Sequence, residues 1–153
     1  MSKKVDPNSL GFLITDSARM IRSLFERRIA EAGLGLTAGE ARTLVHVETI
    51  NGSRQLDIAH RMGIEPMTVC AFLDRLQALD LIERQPDPTD RRAKNVFLTD
   101  KSQSMIALIR KEIQILMDQA TEGLSAEERD ALKRAMTIVR GNLHRSGQSD
   151  KQN

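Results

Sequence analysis

A group of charged side chains between residues 84 and 94 is well suited to binding an anionic partner. Four positive and two negative charges give a net of +2 over these eleven positions: Arg84, Arg91, Arg92 and Lys94 against Asp87 and Asp90. A thin cationic tip fits the minor groove of DNA, whose negative potential attracts arginine. Asp90 would then brace the tip by pairing with Arg92 or with a backbone N–H, so that less entropy is lost on binding. The alternative is a loop tip whose charges are only solvated.

A second set of residues faces outward from a helix that the sequence predicts to begin at Pro66. The inward stripe of this helix consists of Val69, Phe72, Leu73, Leu76 and Leu79. The opposite face consists of Met67, Thr68, Ala71 and Arg75. The major groove of DNA is about 12 Å wide and admits one helix, so this face could contact base edges or phosphates. Gln55, at the start of the preceding helix, could hold a phosphate together with the backbone N–H groups of that terminus.

Two short helices are expected to position these residues. The first runs from about Gln55 to Met62, and the turn Gly63-Ile64-Glu65 separates it from the second. The second helix is expected to end at Asp80 in a left-handed conformation, which aspartate tolerates less well than glycine. This order is typical of a helix-turn-helix, although two packed helices without a role in DNA binding give the same pattern.

A β-hairpin follows the second helix. Apolar and polar residues alternate from Leu81, which predicts a strand through Arg84. The returning strand includes Val96 and Leu98. Residues 85–90 are not expected to continue the ladder, because proline lacks a donor and aspartate favours turns. The sequence therefore predicts a hairpin with a long exposed tip.

Longer helices flank this segment on both sides. The first is expected to run from an N-cap at Ser9 to Ala32 and to stop at Gly33. It would contain about 24 residues and span roughly 36 Å. Its apolar stripe is more than one short helix could cover, so either a second subunit or the chain's own C-terminal helices must pack against it.

Capping signals predict the other helices. They are Thr37 with Glu40, Thr99 alone, and Ser125 with Glu128. The three helices that they open are expected to close near Ile50, Gly123 and Arg145, and the polar tail after Arg145 is expected to fray. The predicted fold class is mainly α with a small β-wing: a winged helix-turn-helix of about six helices and a two- to three-stranded sheet.

The composition is that of one soluble globular domain, with 153 residues of which 40% are apolar and 29% are charged. Trp and Tyr are absent, so the core must be largely aliphatic, which favours helices. No apolar run has the length of a signal peptide or a membrane span, which indicates a cytoplasmic protein without membrane contact. The single cysteine, Cys70, excludes an internal disulfide. We expect it to be a small residue at the core edge, with an oxidant-sensing thiol as the alternative.

Residues that could serve catalysis or bind a metal form no recognisable site. His46, His60 and His144 are scattered, without the ligand spacing of a zinc site. Glu127 and Glu128 belong to a capping box, and there is no Gly-rich phosphate loop or nucleophile motif. The sequence therefore predicts no enzyme, no metal and no cofactor.

Four short motifs follow one another along the predicted helix-turn-helix and hairpin. They are Gln55-Leu-Asp-Ile-Ala, Leu73-Asp-Arg-Leu, Leu81-Ile-Glu-Arg, and Asp87-Pro-Thr-Asp-Arg-Arg-Ala-Lys closing on Leu98-Thr99. Together they resemble the MarR family of winged-helix transcriptional regulators, and most of all the branch that includes the SlyA regulators. The likeness covers nearly the whole chain, and the Asp-Arg-Arg segment is its most specific part.

The resemblance implies an interlocked homodimer that binds a pseudo-palindromic operator in double-stranded DNA. It implies recognition-helix contacts at Thr68 and Ala71, and a minor-groove arginine at Arg92 that is braced by Asp90. Two residues depart from the family pattern. Ala71 stands where many relatives carry a base-reading arginine, and Asp80 replaces a frequent glycine.

The expected function is therefore a sequence-specific, homodimeric transcriptional repressor. The residues expected to contact DNA are Gln55, Met67, Thr68, Ala71, Arg75, Asp90, Arg91, Arg92 and Lys94. The resemblance also implies relief by a small anionic or aromatic ligand, for which Arg19 and Arg22 are candidates unless both are only solvated. The alternative is a low-specificity DNA binder or countersilencer that acts with a protein partner. Residues 1–153 would form a single domain, with dimerisation helices at 9–32 and 100–145 and a winged lobe at 36–99.

Overall fold

The structure is a computed structural model, and it describes residues 4–149. Its elements are α1 (Leu10–Ala32), α2 (Ala38–Thr49), α3 (Gln55–Met62), α4 (Pro66–Ala78), β1 (Ile82–Pro86), β2 (Lys94–Leu98), α5 (Ser102–Ala120) and α6 (Ala126–Ser149). The predicted fold class, mainly α with a small β-wing, is confirmed. The chain divides into two compact units, one ending at Leu116 and the other beginning at Met117.

The local signals for helix starts and stops are largely confirmed. Thr37 and Glu40 form a reciprocal capping box, with N···O distances of 2.9 and 3.2 Å, at the start of α2. Ser125 and Glu128 form the same arrangement at the start of α6. Ser9 precedes α1 as predicted, but its side chain makes no capping hydrogen bond within the described residues.

The wing is a two-stranded antiparallel sheet in which Ile82 lies opposite Leu98 and Pro86 opposite Lys94. The prediction that Gln85 and Pro86 could not continue the ladder is wrong, because they pair with Asn95 and Lys94. Hydrogen bonds in an antiparallel pair involve alternate residues. Because Asp87 donates its N–H to Ala93, the nitrogen of the neighbouring Pro86 points away from β2, where no donor is needed. A single bridge between Arg54 and Asn95 adds the beginning of a third strand.

The core of the first unit is formed mainly by aliphatic side chains from α1 to α5 and both strands. Its largest fully buried residues are Ile29, Leu44, Ile58, Leu73, Leu76, Ile82, Ile106, Ile109, Leu116, Val47, Val69 and Val96. Phe25 on α1 is also buried. Since α4 and β1 both contribute to this core, the surfaces that they expose are held on one packed body.

Two predicted features of the C-terminal half are wrong. Thr99 does not cap α5, which begins at Ser102, because its hydroxyl donates to the carbonyl of Asp80 at 2.6 Å. The helix α6 continues through Ser149 although fraying was expected after Arg145. No proline interrupts the last turn, and adding residues to an existing helix is easier than starting one. Residues 1–3 and 150–153, which the sequence predicts to be loose, lie outside the described residues.

Candidate nucleic-acid interface

The predicted helix-turn-helix is formed by α3 and α4. Gly63 ends α3 with φ of 64°, a left-handed conformation that glycine adopts without strain. Pro66 then opens α4 at a position where its missing N–H would have had no partner. The short turn between them is the one that the sequence predicted.

The two faces of α4 divide as its sequence periodicity predicted. Val69, Leu73 and Leu76 are buried, and Phe72 and Leu79 are half-buried. The four outward residues are exposed: Met67, Thr68, Ala71 and Arg75. The exposed fraction of Met67 reaches 86%. This face of α4 therefore consists of a small polar residue, a methyl group, a thioether and one guanidinium, all open to solvent.

Asp80 ends the helical segment in the predicted left-handed conformation, with φ of 59°. Its N–H donates to the carbonyl of Gln77 at 2.9 Å, and the N–H of Leu81 donates to that of Leu76 at 3.0 Å. These two bonds satisfy helix carbonyls that would otherwise lack partners. The chain consequently turns at once from α4 into β1, which fixes where the wing starts.

Arg84 on β1 joins three elements at the base of the wing. Its guanidinium donates to Asp74 at 2.5 Å, to the Gln77 side chain at 2.6 Å and to the Gln55 side chain at 3.0 Å. Only 18% of its side chain is exposed. The net charge counted over residues 84–94 therefore includes one cation that is held by Asp74. The side-chain oxygen of Gln55 accepts one of these bonds, and its NH₂ group remains a hydrogen-bond donor.

Asp87 organises the tip of the wing, a role that the sequence analysis did not assign. One carboxylate oxygen accepts from the Thr89 N–H, the Thr89 hydroxyl and the Asp90 N–H, at 2.8, 2.7 and 3.1 Å. The other accepts from Nε of Arg54 at 2.9 Å. The Arg54 guanidinium, followed by the bonds from Thr89, holds the pKa of Asp87 far below its ordinary value. The Asp-Pro-Thr order could have signalled this turn, since aspartate often bonds its own backbone two residues on.

Asp90 braces the backbone of the tip. Its carboxylate accepts from the N–H of Arg92 at 2.9 Å, and its carbonyl accepts from the N–H of Ala93 at 3.0 Å. Of the two predicted braces, the backbone N–H is the one observed. Among the ion pairs of the described residues there is none between the Asp90 carboxylate and the Arg92 guanidinium, so Asp90 acts on the backbone of the tip. Arg91, Arg92 and Lys94 are all exposed.

The other residues that the sequence singled out are not on the exposed face of α4 or on the wing. Arg19 and Arg22 are exposed on α1, and Arg19 lies 3.8 Å from Asp16. Cys70 is half-buried on α4, in agreement with the core-edge interpretation. His46 is half-buried on α2. Burial, followed by the positive charges of Arg61 and Arg42, lowers the pKa of His46.

Among residues 4–149 no group of three or more His, Cys, Asp or Glu side chains could hold a metal ion. Within the same range no helix combines the length and hydropathy needed to cross a membrane.

Known proteins resemble this chain both in the sequence of the segment that carries this surface and in the overall fold. Residues 36–94 match the MarR family. Across 89% of the chain, the fold is similar to that of a MarR transcriptional regulator from Methanosarcina mazei Go1, with 20% identity, 96% of that chain covered and a TM-score of 0.79. The transcriptional regulator SlyA is 27% identical over 91% of this chain and 96% of its own, with a TM-score of 0.75. A mutant MarR from E. coli complexed with operator DNA is 22% identical over 86% of this chain and 94% of its own, with a TM-score of 0.69.

Proposed function

Because the chain carries a MarR-family winged helix at residues 36–94 and has the fold of solved MarR-family regulators, we propose that it is a sequence-specific, DNA-binding repressor of transcription that acts as a homodimer in the cytoplasm. Members of this family are transcription regulators rather than enzymes. The observation that carries the proposal is the joining, through Arg84, of an exposed helix face to a hairpin whose tip presents arginines. A MarR in complex with operator DNA has the same fold.

In this proposal α4 is the recognition helix and lies in the major groove. Thr68 can exchange hydrogen bonds with base edges or phosphates, and the methyl groups of Ala71 and Met67 can contact thymine. Arg75 and the NH₂ group of Gln55 bind the phosphates on either side. These assignments are supported by the exposure of the whole α4 face and by the position of Gln55 at the first residue of α3.

The wing enters the adjacent minor groove. Arg92 is the arginine inserted there, while Arg91 and Lys94 neutralise phosphates along its edges. Asp90 contributes by shaping the backbone, since its two bonds close the tip around the N–H groups of Arg92 and Ala93. Arginine in a narrow groove reads groove width, so the wing adds specificity through DNA shape.

A second candidate is a low-specificity DNA binder or countersilencer that acts with a protein partner. Ala71 favours it, because this exposed position offers no hydrogen-bond donor or acceptor where a base-reading arginine would stand. The two candidates differ in the ratio of specific to non-specific affinity, which the titration below measures.

Exposed apolar residues support the homodimer. On α1 they are Leu10, Phe12, Leu13 and Met20. In the second unit they are Met117, Leu124, Leu132, Met136, Ile138 and Leu143. Helices with this much exposed apolar surface are expected to bury it against a partner. Residues 9–32 and 100–145 would then be the dimerisation segments, and residues 36–99 the lobe that binds DNA. Sedimentation that shows only monomers at micromolar concentration would contradict this part of the proposal.

A small anionic or aromatic effector is part of the same proposal. Arg19 and Arg22, both exposed on α1, are its candidate contacts. Such a ligand releases DNA only if it binds the DNA-incompetent arrangement of the dimer more tightly than the competent one.

Titration of a promoter-derived palindromic duplex and a scrambled duplex at several salt concentrations tests the proposal. Specific affinity should exceed non-specific affinity by roughly three orders of magnitude or more. Both affinities should fall as salt rises, because binding releases counterions from the DNA. Two affinities within a few fold of each other would favour the low-specificity candidate instead.

A further inference from the structure

Arg54 is an unusual residue type for the N-cap position of α3. N-cap residues are commonly Ser, Thr, Asp or Asn, whose side-chain oxygens accept from the first N–H groups of the helix. The arginine side chain has no acceptor, and within the described residues it makes no capping bond. The backbone carbonyl of Arg54 still accepts from Asp57 and Ile58, so the helix starts normally while the side chain is directed elsewhere.

The side chain of Arg54 reaches the tip of the wing. Its Nε donates to Asp87 at 2.9 Å, and its Nη2 donates to the Thr89 hydroxyl at 3.1 Å. The backbone of Arg54 also bridges to Asn95 on β2. We call the contacts of Arg54 with Asp87 and Thr89 the clasp. It connects the start of α3 to residues 33 and 35 positions further along the chain.

The wing end of the clasp is shielded and fully engaged. Only 8% of the Asp87 side chain is exposed, against 42% of that of Arg54. The carboxylate oxygen that does not bind Nε of Arg54 accepts three hydrogen bonds from Thr89 and Asp90. Asp87 therefore connects the Arg54 side chain to the backbone N–H groups of Thr89 and Asp90, which immediately precede the arginines of the tip.

We propose that Arg54 is a positioning residue for DNA binding, which holds the wing tip at a fixed place relative to the helix-turn-helix by binding Asp87 and Thr89. The inference rests on the proposed function. The ladder between β1 and β2 stops at the Pro86–Lys94 pair, so the clasp is a restraint on the tip that lies beyond it. A two-stranded hairpin is marginally stable by itself, and a tip that is already ordered loses less entropy when it enters the minor groove.

A double-mutant cycle distinguishes this role from a general contribution to stability. Arg54→Ala should weaken binding to the specific duplex about tenfold, since the wing must then be ordered during binding. If Arg54 acts through the wing, the double variant Arg54→Ala with Arg92→Ala should lose clearly less affinity for the specific duplex than the product of the two single fold losses. The double variant Arg54→Ala with Thr68→Ala, on α4, should lose affinity by the product of its own two single fold losses. Arg61→Ala removes an exposed cation from α3, the helix that Arg54 precedes, and is the matched control for charge.

Hydrogen exchange of the DNA-free protein measures the restraint itself. In Arg54→Ala the amides of residues 89–93 should exchange faster, whereas those of α4 should remain unchanged. Asp87→Asn breaks the ion pair from the wing side and should give the same pattern, so the test remains available if Arg54→Ala folds poorly.

The inference is overturned if the wild-type protein binds specifically and Arg54→Ala binds equally well, or if its effect multiplies with that of Arg92→Ala. Unchanged exchange in residues 89–93 in both clasp variants would overturn it independently. Failure of the wild-type protein to prefer any duplex would instead overturn the proposed function, while the exchange measurement would still report on the clasp.

Discussion

Arg84 and Asp74 form an ion pair in which Nη2 of the guanidinium lies 2.5 Å from Oδ1 of the carboxylate. The pair links the first strand of the wing to the helix that we propose as the recognition helix. The two side chains differ in burial, because 18% of the Arg84 side chain is exposed and 63% of the Asp74 side chain is exposed. Arg84 also donates to the side chains of Gln77 and Gln55, so we expect two of its three bonds to remain when Asp74 is replaced.

This inequality predicts unequal effects of mutation. Arg84→Met should lower the free energy of unfolding by about 1–2 kcal/mol, because three acceptors lose a charged donor at once. Asp74→Asn should lower it by less than about 1 kcal/mol, since exposed ion pairs contribute little. Urea unfolding of the two variants and the wild-type protein measures both values. Equal losses, or a larger loss for Asp74→Asn, would show that Arg84 does not join the three elements as described.

Arg92→Ala should weaken binding to the specific duplex by roughly ten- to a hundredfold, which corresponds to losing one charged hydrogen-bonding group. The free energy of unfolding should change by less than about 0.5 kcal/mol, because the side chain is exposed and only the backbone N–H of Arg92 is bonded to Asp90. Lys111→Ala, which removes an exposed cation from α5 outside the proposed DNA-binding lobe, is the control. At a concentration where it and the wild-type protein both sediment as dimers, it should bind DNA like the wild-type protein. If Arg92→Ala binds as tightly as that control, Arg92 is not the minor-groove residue.

Asp80→Gly should stabilise the protein by about 0.5–1 kcal/mol, because the left-handed φ of 59° is easier for glycine, although glycine makes the unfolded chain more flexible. Loss of the exposed Lys101–Asp80 contact, at 3.9 Å, should matter little. Thermal unfolding measures the change. Asp100→Gly is the control, since Asp100 is not among the described residues with positive φ and should gain nothing. A destabilised Asp80→Gly variant would mean that the aspartate side chain contributes more than its backbone strain costs.

His46 should make stability depend on pH. Burial and the charges of Arg61 and Arg42 lower its pKa in the folded protein, whereas the unfolded chain takes up the proton near the ordinary value of about 6.5. The unfolded state therefore binds more protons as pH falls, and stability decreases below about pH 7. The midpoint of thermal unfolding should fall more steeply from pH 7.5 to 5.5 in the wild-type protein than in His46→Gln. Parallel curves would show that His46 titrates alike in both states.

Much of the fold could be predicted from the sequence because its signals are local. The capping box at Thr37, the left-handed Asp80 and the proline that opens α4 each depend on residues within one turn of the chain. The inward and outward faces of α4 follow from a period of 3.6 residues. For the same reason the exposed set on α4 could be identified before the structure was known.

The features that were missed depend on residues far apart in the chain. Arg84 looked like a free cation of the wing, but it is bound by side chains on α3 and α4. Arg54 and Asp87 are separated by 33 positions, and neither residue type reveals its partner. Pro86 was excluded from β1 because the register, which decides whether a donor is needed there, could not be known from sequence.

The most direct test of the central claim is a selection of bound duplexes from a random DNA pool by the full chain, followed by sequencing. A homodimer with one winged lobe in each subunit should enrich a pseudo-palindrome. The centres of its two half-sites should be separated by about one helical turn of DNA or by a whole number of turns. We predict such a motif, flanked by positions with a preference for a narrow minor groove. A bound pool with the same composition as the input would contradict the claim that this protein reads DNA sequence.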